Sequence, residues 1–212
     1  MSKRIRAWHF MAERDGKPIL RNGDLAEVGW VYGVEGDLSM CQWGMHQSLS
    51  AIDALKYAPG NWVGLCETWG DIEEQDDKIV SRHREYLWIV NAEDTLRHFA
   101  RLCALDVIDK WDAPEIVVRY LKTGDESIRD AARDAARDAA RAAGWAAAWA
   151  AARAAAWDAA GDAAGDAAWA AAWDAAWAAG WDAAWDAGWA AALAAQNKRL
   201  ERMLRKIPRL RR

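Results

Sequence analysis

The stretch RDAARDAARDAARAAGWAAAWAAARAAAWDAAGDAAGDAAWAAAWDAAWAAGWDAAWDAGWAAA runs from Arg129 to Ala192 and divides into sixteen four-residue units without a break. The first position of each unit is Arg, Trp or Gly, the second is Asp or Ala, and the third is always Ala. The fourth is Ala except at Gly144, Gly180 and Gly188. An internal repeat of this kind indicates a regular architecture, so it takes precedence over other local patterns.

The alanine content of the repeat predicts a long α-helix, because alanine has the highest intrinsic helix propensity. A period of four drifts by about 40° per unit around an ideal helix, so the Trp positions form a spiral stripe. An extended helix of this length would leave nine Trp side chains in water. We therefore expect a second chain, or a bend near Gly161 and Gly165, to bury them. A solenoid of short β rungs is the alternative, and the absence of β-branched residues argues against it.

The predicted self-association surface consists of the Trp residues at the first positions of the units. Trp side chains at i and i+4 are neighbours on a helix and can stack, while the Ala and Gly positions allow another helix to approach closely. The members of this surface are Trp145, Trp149, Trp157, Trp169, Trp173, Trp177, Trp181, Trp185 and Trp189.

The part before the repeat has ordinary mixed composition and alternates between strand and helix patterns. Turns at Asp15-Gly16 and Asn22-Gly23 separate predicted short strands, and residues 48–57 predict one amphipathic helix that stops at Pro59-Gly60. Two further strands are predicted on either side of the acidic loop EEQDD, at residues 73–77. Helical spacing then begins at Glu93, and a second helix is expected to start after Pro114 and to end at Gly124.

These patterns predict an α+β fold with a small N-terminal mixed-sheet module, a two-helix connector and a long Ala/Trp tetrad-repeat α-helix or helical hairpin. The expected parts are a small α+β domain, the connector, the four-residue-repeat helical region with its Ala, Trp and Asp, and a basic amphipathic tail. Their boundaries are residues 1–91, 92–124, 125–196 and 197–212.

The tail has a charge opposite to that of the rest of the chain. Eight basic residues and one acidic residue give it a net charge of +7, whereas the whole chain has a formal charge of -4. The sequence predicts that the tail binds nucleic acid, anionic lipid, an acidic protein or the chain's own acidic repeat, although a helix end packed on the body would explain the same pattern. The predicted anionic-partner binding residues are Lys198, Arg199, Arg202, Arg205, Lys206 and Arg209.

Several functional classes are disfavoured by composition. Three cysteines are too few for a disulfide framework, the N-terminal residues lack an apolar signal core, and Asp or Arg interrupts every apolar run of the repeat. We expect a cytoplasmic protein with no transmembrane segment. Cys41, His46, Cys66 and His83 lack the paired spacing of a metal site, and the acidic loop lacks the ligand pattern of a calcium loop, so no metal and no cofactor are expected.

The segment CQWGMHQSLSAIDALKYAPG, with the later WVGLCETWG and the Asp-Asp-Lys that ends at Lys78, resembles an uncharacterised family of phage and bacterial proteins. Members combine a small N-terminal domain, marked by a Cys-x-x-Gly-(Leu/Met/Phe)-His motif, with a variable repetitive C-terminal region. The resemblance covers roughly residues 4–124, and its motif residues here are Cys41, Gly44 and His46. This sequence has Gln47 where the family pattern has Ala. The resemblance implies a phage or prophage setting.

The same part of the chain is also similar to ADP-ribosyltransferase-like domains. That similarity implies that Arg6 or His9 would bind a nicotinamide-dinucleotide cofactor, that Tyr57 would stack on it, and that Glu85 is a candidate catalytic residue. The sequence as a whole favours a non-enzymatic phage-type interaction protein that forms a homo-oligomer through the repeat and presents the N-terminal domain and the tail to a partner. A nucleotide-binding or transferase domain, and a nucleic-acid-binding protein, are the alternatives.

Overall fold

The computed structural model describes residues 3–110, 112–143 and 185–210. By backbone contacts the chain divides into two compact units. The first, here called the sheet unit, comprises residues 1–92 and 201–212, and the second, the helical unit, comprises residues 93–200.

The sheet unit contains a curled antiparallel sheet that forms a half-barrel. Its strands, in chain order, are β1 (Ile5–Arg14), β2 (Lys17–Ile19), β3 (Val31–Gly33), β4 (Met45–Gln47), β5 (Trp62–Glu74) and β6 (Ile79–Asn91). The order across the sheet is β2-β1-β5-β6-β3, and β4 also pairs with β6. Ser48, directly after β4, exchanges two backbone hydrogen bonds with Trp8 of β1, of 2.8 and 3.0 Å. This exchange brings β4 to the side of β1 that faces away from β5.

Local sequence explains the hairpins of this sheet. Asp15 and Gly16 both have positive φ and join β1 to β2 in a tight turn. The predicted acidic loop joins β5 to β6, and Gln75 donates to the carbonyl of Lys78 across it. Short connections of this kind join antiparallel strands, because parallel neighbours need a long crossover.

The sheet encloses a core and is covered by one short helix. Ala7, Met11, Cys66 and Tyr86 belong to the buried cluster between the strands. Helix α1 (Ala51–Leu55) begins after Ser50, whose side chain accepts the amide hydrogen of Asp53. The prediction of a helix within residues 48–57 is confirmed, although the helix is shorter than predicted and Leu49 precedes it and is exposed.

The helical unit begins with α2 (Glu93–Asp106) and α3 (Glu115–Thr123), as the sequence predicted. Gly124 ends α3 with a φ of 66°, the left-handed conformation that glycine adopts without strain. A short 3₁₀ turn capped by Asp125 leads into α4 (Arg129–Ala143), and α5 (Trp185–Leu204) follows later in the chain. A final short helix, α6 (Ile207–Leu210), lies against β6 in the sheet unit.

The predicted fold class is wrong in two respects. The five strand pairings of the described residues are all antiparallel, so the sheet is a curled antiparallel half-barrel rather than a small mixed sheet. The strands β5 and β6, each 13 residues long, are the two strands that the sequence predicted on either side of the acidic loop. The physical reason is that short turns join β1 to β2 and β5 to β6, and strands that a short turn joins pair in the antiparallel direction.

The predicted continuous helix from Arg129 to Ala192 is not seen. Within the described residues the repeat is helical in α4 and at the start of α5, and the units between these two helices lie outside the described residues. Alanine propensity is a local preference, and it does not fix the length over which tertiary packing stabilises a helix. The predicted bend near Gly161 and Gly165 lies outside the described residues.

None of the described helices combines the length and the hydropathy that crossing a membrane requires.

Candidate functional site

The Cys41–His46 motif forms a turn that is closed by its own side chain. The amide of Cys41 donates to Nε2 of His46 at 2.8 Å, and Nδ1 of His46 lies 3.0 Å from the carbonyl oxygen of Gly44. This pattern assigns the proton to Nδ1 of a neutral imidazole, because Nε2 acts as acceptor. Cys41 and Gly44 have φ values of 65° and 128°. The motif is therefore a structured turn that leads directly into β4.

A buried polar network follows the motif into the sheet. Nε2 of Gln47 donates to Oγ1 of Thr68 at 3.0 Å and to Oγ of Ser81 at 2.8 Å, and the two hydroxyls bond to each other. Oγ1 of Thr68 also donates to the carbonyl of His83 at 2.7 Å. All three side chains are buried. Gln47, which departs from the family pattern, thus connects β4 with β5 and β6.

Arg84 of β6 is the charged residue next to this network. Only 4% of Arg84 is exposed. Its Nη1 donates to the carbonyl of His46 at 3.0 Å and to Oε1 of Gln47 at 3.4 Å, and its guanidinium carbon lies 5.1 Å from the ring centre of Tyr86. Its Nε is buried and makes no hydrogen bond within the described residues. We refer to Arg84, His46, Gln47, Tyr86 and His9 as the polar core.

The other titratable groups near Arg84 are held neutral. Burial, then the charges of Arg84 and His46, lowers the pKa of His9 well below its usual value. Burial also raises the pKa of Tyr86, whose hydroxyl lies 2.7 Å from Nδ1 of His9, and raises the pKa of the Cys66 thiol to about 12. The pKa of His46 is lowered chiefly by burial. At neutral pH the polar core therefore carries the positive charge of Arg84 among neutral groups.

Sequence reasoning missed Arg84 and the hydroxyls that surround Gln47. One signal was available, since alternate residues of a strand share a face and Arg84 is two positions before Tyr86. If Tyr86 is predicted to face the core, Arg84 is therefore predicted to face the core as well.

The residues implied by the ADP-ribosyltransferase similarity are not brought together. The ring of His9 lies in the polar core, whereas Arg6 is exposed and lies 3.6 Å from Glu67. Glu85 bonds to Arg4 at 2.9 Å and points to the face opposite Tyr86, because the two residues are adjacent in β6. The hydroxyl of Tyr57 donates to Asp77 at 2.8 Å, near α1. The four residues that the similarity implies, Arg6, His9, Tyr57 and Glu85, therefore do not surround one common ligand.

The candidate metal ligands that the sequence offered lie in separate environments. Both ring nitrogens of His46 are used in its turn, His83 stacks on Trp69 with ring centres 5.6 Å apart, and the thiol of buried Cys66 donates to the carbonyl of Ala7. Within the described residues, no three metal-ligating side chains gather at one point.

A small cleft lies between α1 and the turn that joins β5 to β6. Its volume is about 160 Å³, and Ser50, Asp53, Asp77 and Lys78 are among its lining residues. Lys56 binds Asp53 at 2.8 Å and Asp77 at 3.5 Å. Lys56 therefore partly neutralises the acidic side chains that line the cleft.

The predicted anionic-partner residues of the tail have different environments. Arg199 binds Asp106 at 2.6 Å, and Arg205 binds Glu201 at 3.3 Å and lies 4.8 Å from the ring centre of Trp8. Lys198, Arg202 and Lys206 are exposed, and Arg209 lies in α6. Leu200 and Leu204, on the apolar side of the helix, are fully buried.

The predicted self-association residues lie mostly outside the described residues, with Trp185 and Trp189 inside α5. The start of the repeat is described, and there the fourth-position residues Ala132 and Ala136 are fully buried. Helix α4 packs against α3 in the same unit. The fourth-position Ala residues of the first two units thus form a helix-packing face.

The sheet unit also has exposed apolar side chains beside β3, which sequence reasoning did not single out. Trp30 is 62% exposed, and Val28 and Val31 are also exposed, next to the strand at the end of the sheet order.

In comparisons with known proteins, no family model, no curated protein and no solved structure matches this chain.

Proposed function

We propose that this chain is a non-enzymatic interaction protein that self-associates through the Trp/Ala repeat and presents the sheet unit and the basic tail to a partner. The observation that carries the proposal is the complete burial of Ala132 and Ala136, four residues apart at the fourth position of two successive repeat units. A repeat that buries its small side chains at the start of its length has a face suited to close helix packing.

The same face recurs along the repeat sequence, because the fourth position is Ala or Gly in all sixteen units. What changes is the first position, which is Arg in the opening units and mostly Trp in the later ones. A Trp side chain buries 150–250 Å², roughly, and contributes strongly to interfaces. Exposed apolar patches larger than a few hundred Å² mark interaction sites. Nine indoles exceed that amount, so a partner surface for them is expected, and another copy of the repeat supplies one.

The polar core supports a structural role for the motif rather than a catalytic one. A general base needs an accessible proton acceptor close to its substrate. Here His46 uses both ring nitrogens within its turn, and Nδ1 of the partly buried His9 lies 2.7 Å from the hydroxyl of Tyr86. The one exposed thiol of the three described cysteines, Cys41, belongs to the same turn. These thiols are free, as is usual in a reducing compartment, and this favours a cytoplasmic setting.

The phage or prophage setting rests on the resemblance of the Cys41–His46 motif and the repetitive C-terminal region to that family. The partner of the sheet unit is proposed to be a protein. The apolar side chains of Val28, Trp30 and Val31 beside the β3 edge suit a protein surface.

Nucleic-acid binding by the tail is a second candidate, and the observation in its favour is the exposure of Arg202 and Lys206. Binding through phosphate contacts weakens steeply with salt. If the tail binds nucleic acid, affinity for a duplex should fall as salt rises and should be reduced in the Arg202→Gln, Lys206→Gln variant. Duplex affinity that is equal in that variant and in the wild type would reject this candidate.

Self-association is tested by light scattering coupled to size exclusion on the full chain. The wild type is expected to elute with a mass of at least two chains, and replacing Trp173, Trp177, Trp181 and Trp185 by Ala should reduce that mass. Trp30→Ala is the matched control, because it removes an exposed indole from the sheet unit and should leave the mass unchanged. A wild type of single-chain mass, or a mass unaffected by the four substitutions, would reject the proposal.

A further inference from the structure

Arg84 is a buried arginine that has no carboxylate partner within the described residues. Arg4 binds Glu67 and Glu85, Arg82 binds Asp71 and Arg199 binds Asp106. These three are all more exposed than Arg84, which is 96% buried and forms no ion pair within the described residues. The most buried cation of this group is therefore the one that lacks a counter-charge.

Such an arrangement is energetically unusual. Buried charges in proteins are paired, because removing an ion from water costs several kcal/mol, roughly, even after relaxation. The partners that Arg84 does have are neutral acceptors, the His46 carbonyl and Oε1 of Gln47. Its neighbours also add no negative charge, since His9 and Tyr86 are held neutral by burial.

The free donors of Arg84 define the shape of what would pair with it. Both of its hydrogen bonds are made by Nη1, and Nε is left buried without a partner. The Nε and Nη2 groups lie on one edge of a guanidinium and donate in parallel, which suits two oxygens of a carboxylate or a phosphate. The unpartnered Nε is thus half of a bidentate oxyanion fork.

The surrounding charges favour an anion over a cation at this edge. His46 experiences positive charge from Arg21, Arg84 and Lys78, which lowers its pKa after the larger effect of burial. The hydroxyl of Tyr86 lies beside His9, and the Arg84 guanidinium lies over the Tyr86 ring, so Tyr86 adds a polar neighbour without negative charge.

We propose that the Nε and Nη2 edge of Arg84, in the polar core beside the Cys41–His46 turn, binds a compact oxyanion, a phosphate or a carboxylate group. This inference is independent of self-association through the repeat. Because Nη1 of Arg84 also holds the His46 carbonyl, oxyanion binding should stabilise the turn as well as the sheet.

The first test measures the melting temperature of the full chain in inorganic phosphate, in acetate and in chloride at equal ionic strength. Phosphate, acetate or both should raise the melting temperature in a saturable way, since a ligand that binds only the folded state stabilises it. A response to phosphate alone, or to acetate alone, supports the proposal and identifies the group. Equal responses to all three salts would reflect general ionic strength and would overturn it.

The variant Arg84→Lys keeps the positive charge and removes the fork, so the anion concentration for half the effect should rise at least tenfold. Arg6→Gln is the matched control, because Arg6 is an exposed arginine near Glu67 and should leave the response unchanged. An unchanged response in Arg84→Lys, or an equal loss in Arg6→Gln, would contradict the assignment.

A direct measurement on the wild type covers the case in which Arg84→Lys does not fold. In full-length protein labelled with ¹⁵N-arginine, the Arg84 Nε resonance is identified by its proximity to the Tyr86 ring protons, since the two groups stack. Titration with the active anion should move this resonance in the direction of a stronger hydrogen bond. If the resonance stays in place while the melting temperature rises, the anion binds elsewhere and the proposal fails.

Discussion

Gly44→Ala should strongly destabilise the sheet unit, because Gly44 is held where a side chain has no room. A Cβ at this position would overlap Cγ2 of Val80 and would lie 3.1 Å from Cδ2 of Leu38. Val80 is fully buried in β6, and its branched side chain has little rotational freedom. The φ of 128° adds backbone strain for any residue other than glycine.

The expected cost combines these two effects. A non-glycine residue in a sparsely populated backbone region costs about 1–3 kcal/mol. Overpacking of a filled core costs about 1–3 kcal/mol more. Gly44→Ala should therefore lower the free energy of unfolding of the sheet unit by about 2–6 kcal/mol. Gly16→Ala is the matched control, because Gly16 has a φ of 73° but nothing within 4 Å of a Cβ, and it should cost about 1–2 kcal/mol.

Hydrogen exchange of the full chain measures this difference locally, through the amides of β1 and β5. Their opening free energy should fall much further in Gly44→Ala than in Gly16→Ala. Equal losses in the two variants would refute the reasoning, because strain alone would then explain both and the packing of the motif against Val80 would contribute nothing.

Three further predictions concern pH, the tail and the repeat. The pKa of His9 is lowered in the folded state, so the unfolded state binds more protons below about pH 6.5 and the free energy of unfolding should fall as the pH drops below that value. The urea midpoint of His9→Asn should therefore depend less on pH than that of the wild type, and an unchanged dependence would contradict this. Leu204→Ala should lower the free energy of unfolding by about 2–5 kcal/mol, because Leu204 is fully buried. The control Lys206→Ala, at an exposed position, should change it by less than about 0.5 kcal/mol. Similar melting temperatures for the two variants would refute the packing of the tail. Ala132→Glu should open α4 to hydrogen exchange, because it puts a charge at a fully buried position, while Ala131→Glu at an exposed position should not.

Local signals in the sequence predicted many individual elements. The structure confirms four of them: the Asp15-Gly16 turn, the loop between β5 and β6, the start of α2 at Glu93 and the end of α3 at Gly124. Each depends on residues within one turn or one hairpin, such as a glycine with positive φ. Preferences of this kind can be read from neighbouring residues without knowing the fold.

Non-local pairings were not predictable in the same way. The sequence predicted no strand at the three residues of β4, Met45–Gln47, because they form a strand only when β6 lies beside them. The contact between Ser48 and Trp8, which helps the sheet curl, joins residues 40 positions apart. The polar core was missed for the same reason, since Gln47 and Arg84 become neighbours only after these pairings form.

For the repeat, a strong local preference led to a wrong prediction, because alanine propensity was extended to the length of the whole helix. Alanine content predicted one continuous helix, which is not seen; the described parts of the repeat belong to helices at Arg129–Ala143 and Trp185–Leu204. Propensity indicates where a helix can form, whereas its extent depends on packing partners. The burial of Ala132 and Ala136 shows such packing for the first units.

The central claim, that the Trp/Ala repeat binds another copy of the chain, is tested most directly by sedimentation equilibrium of the full-length protein over a wide range of concentrations. The weight-average mass should rise with concentration from that of one chain toward a whole-number multiple of it, and the four Trp-to-Ala substitutions should suppress the rise. A mass equal to that of a single chain at every concentration would contradict the account.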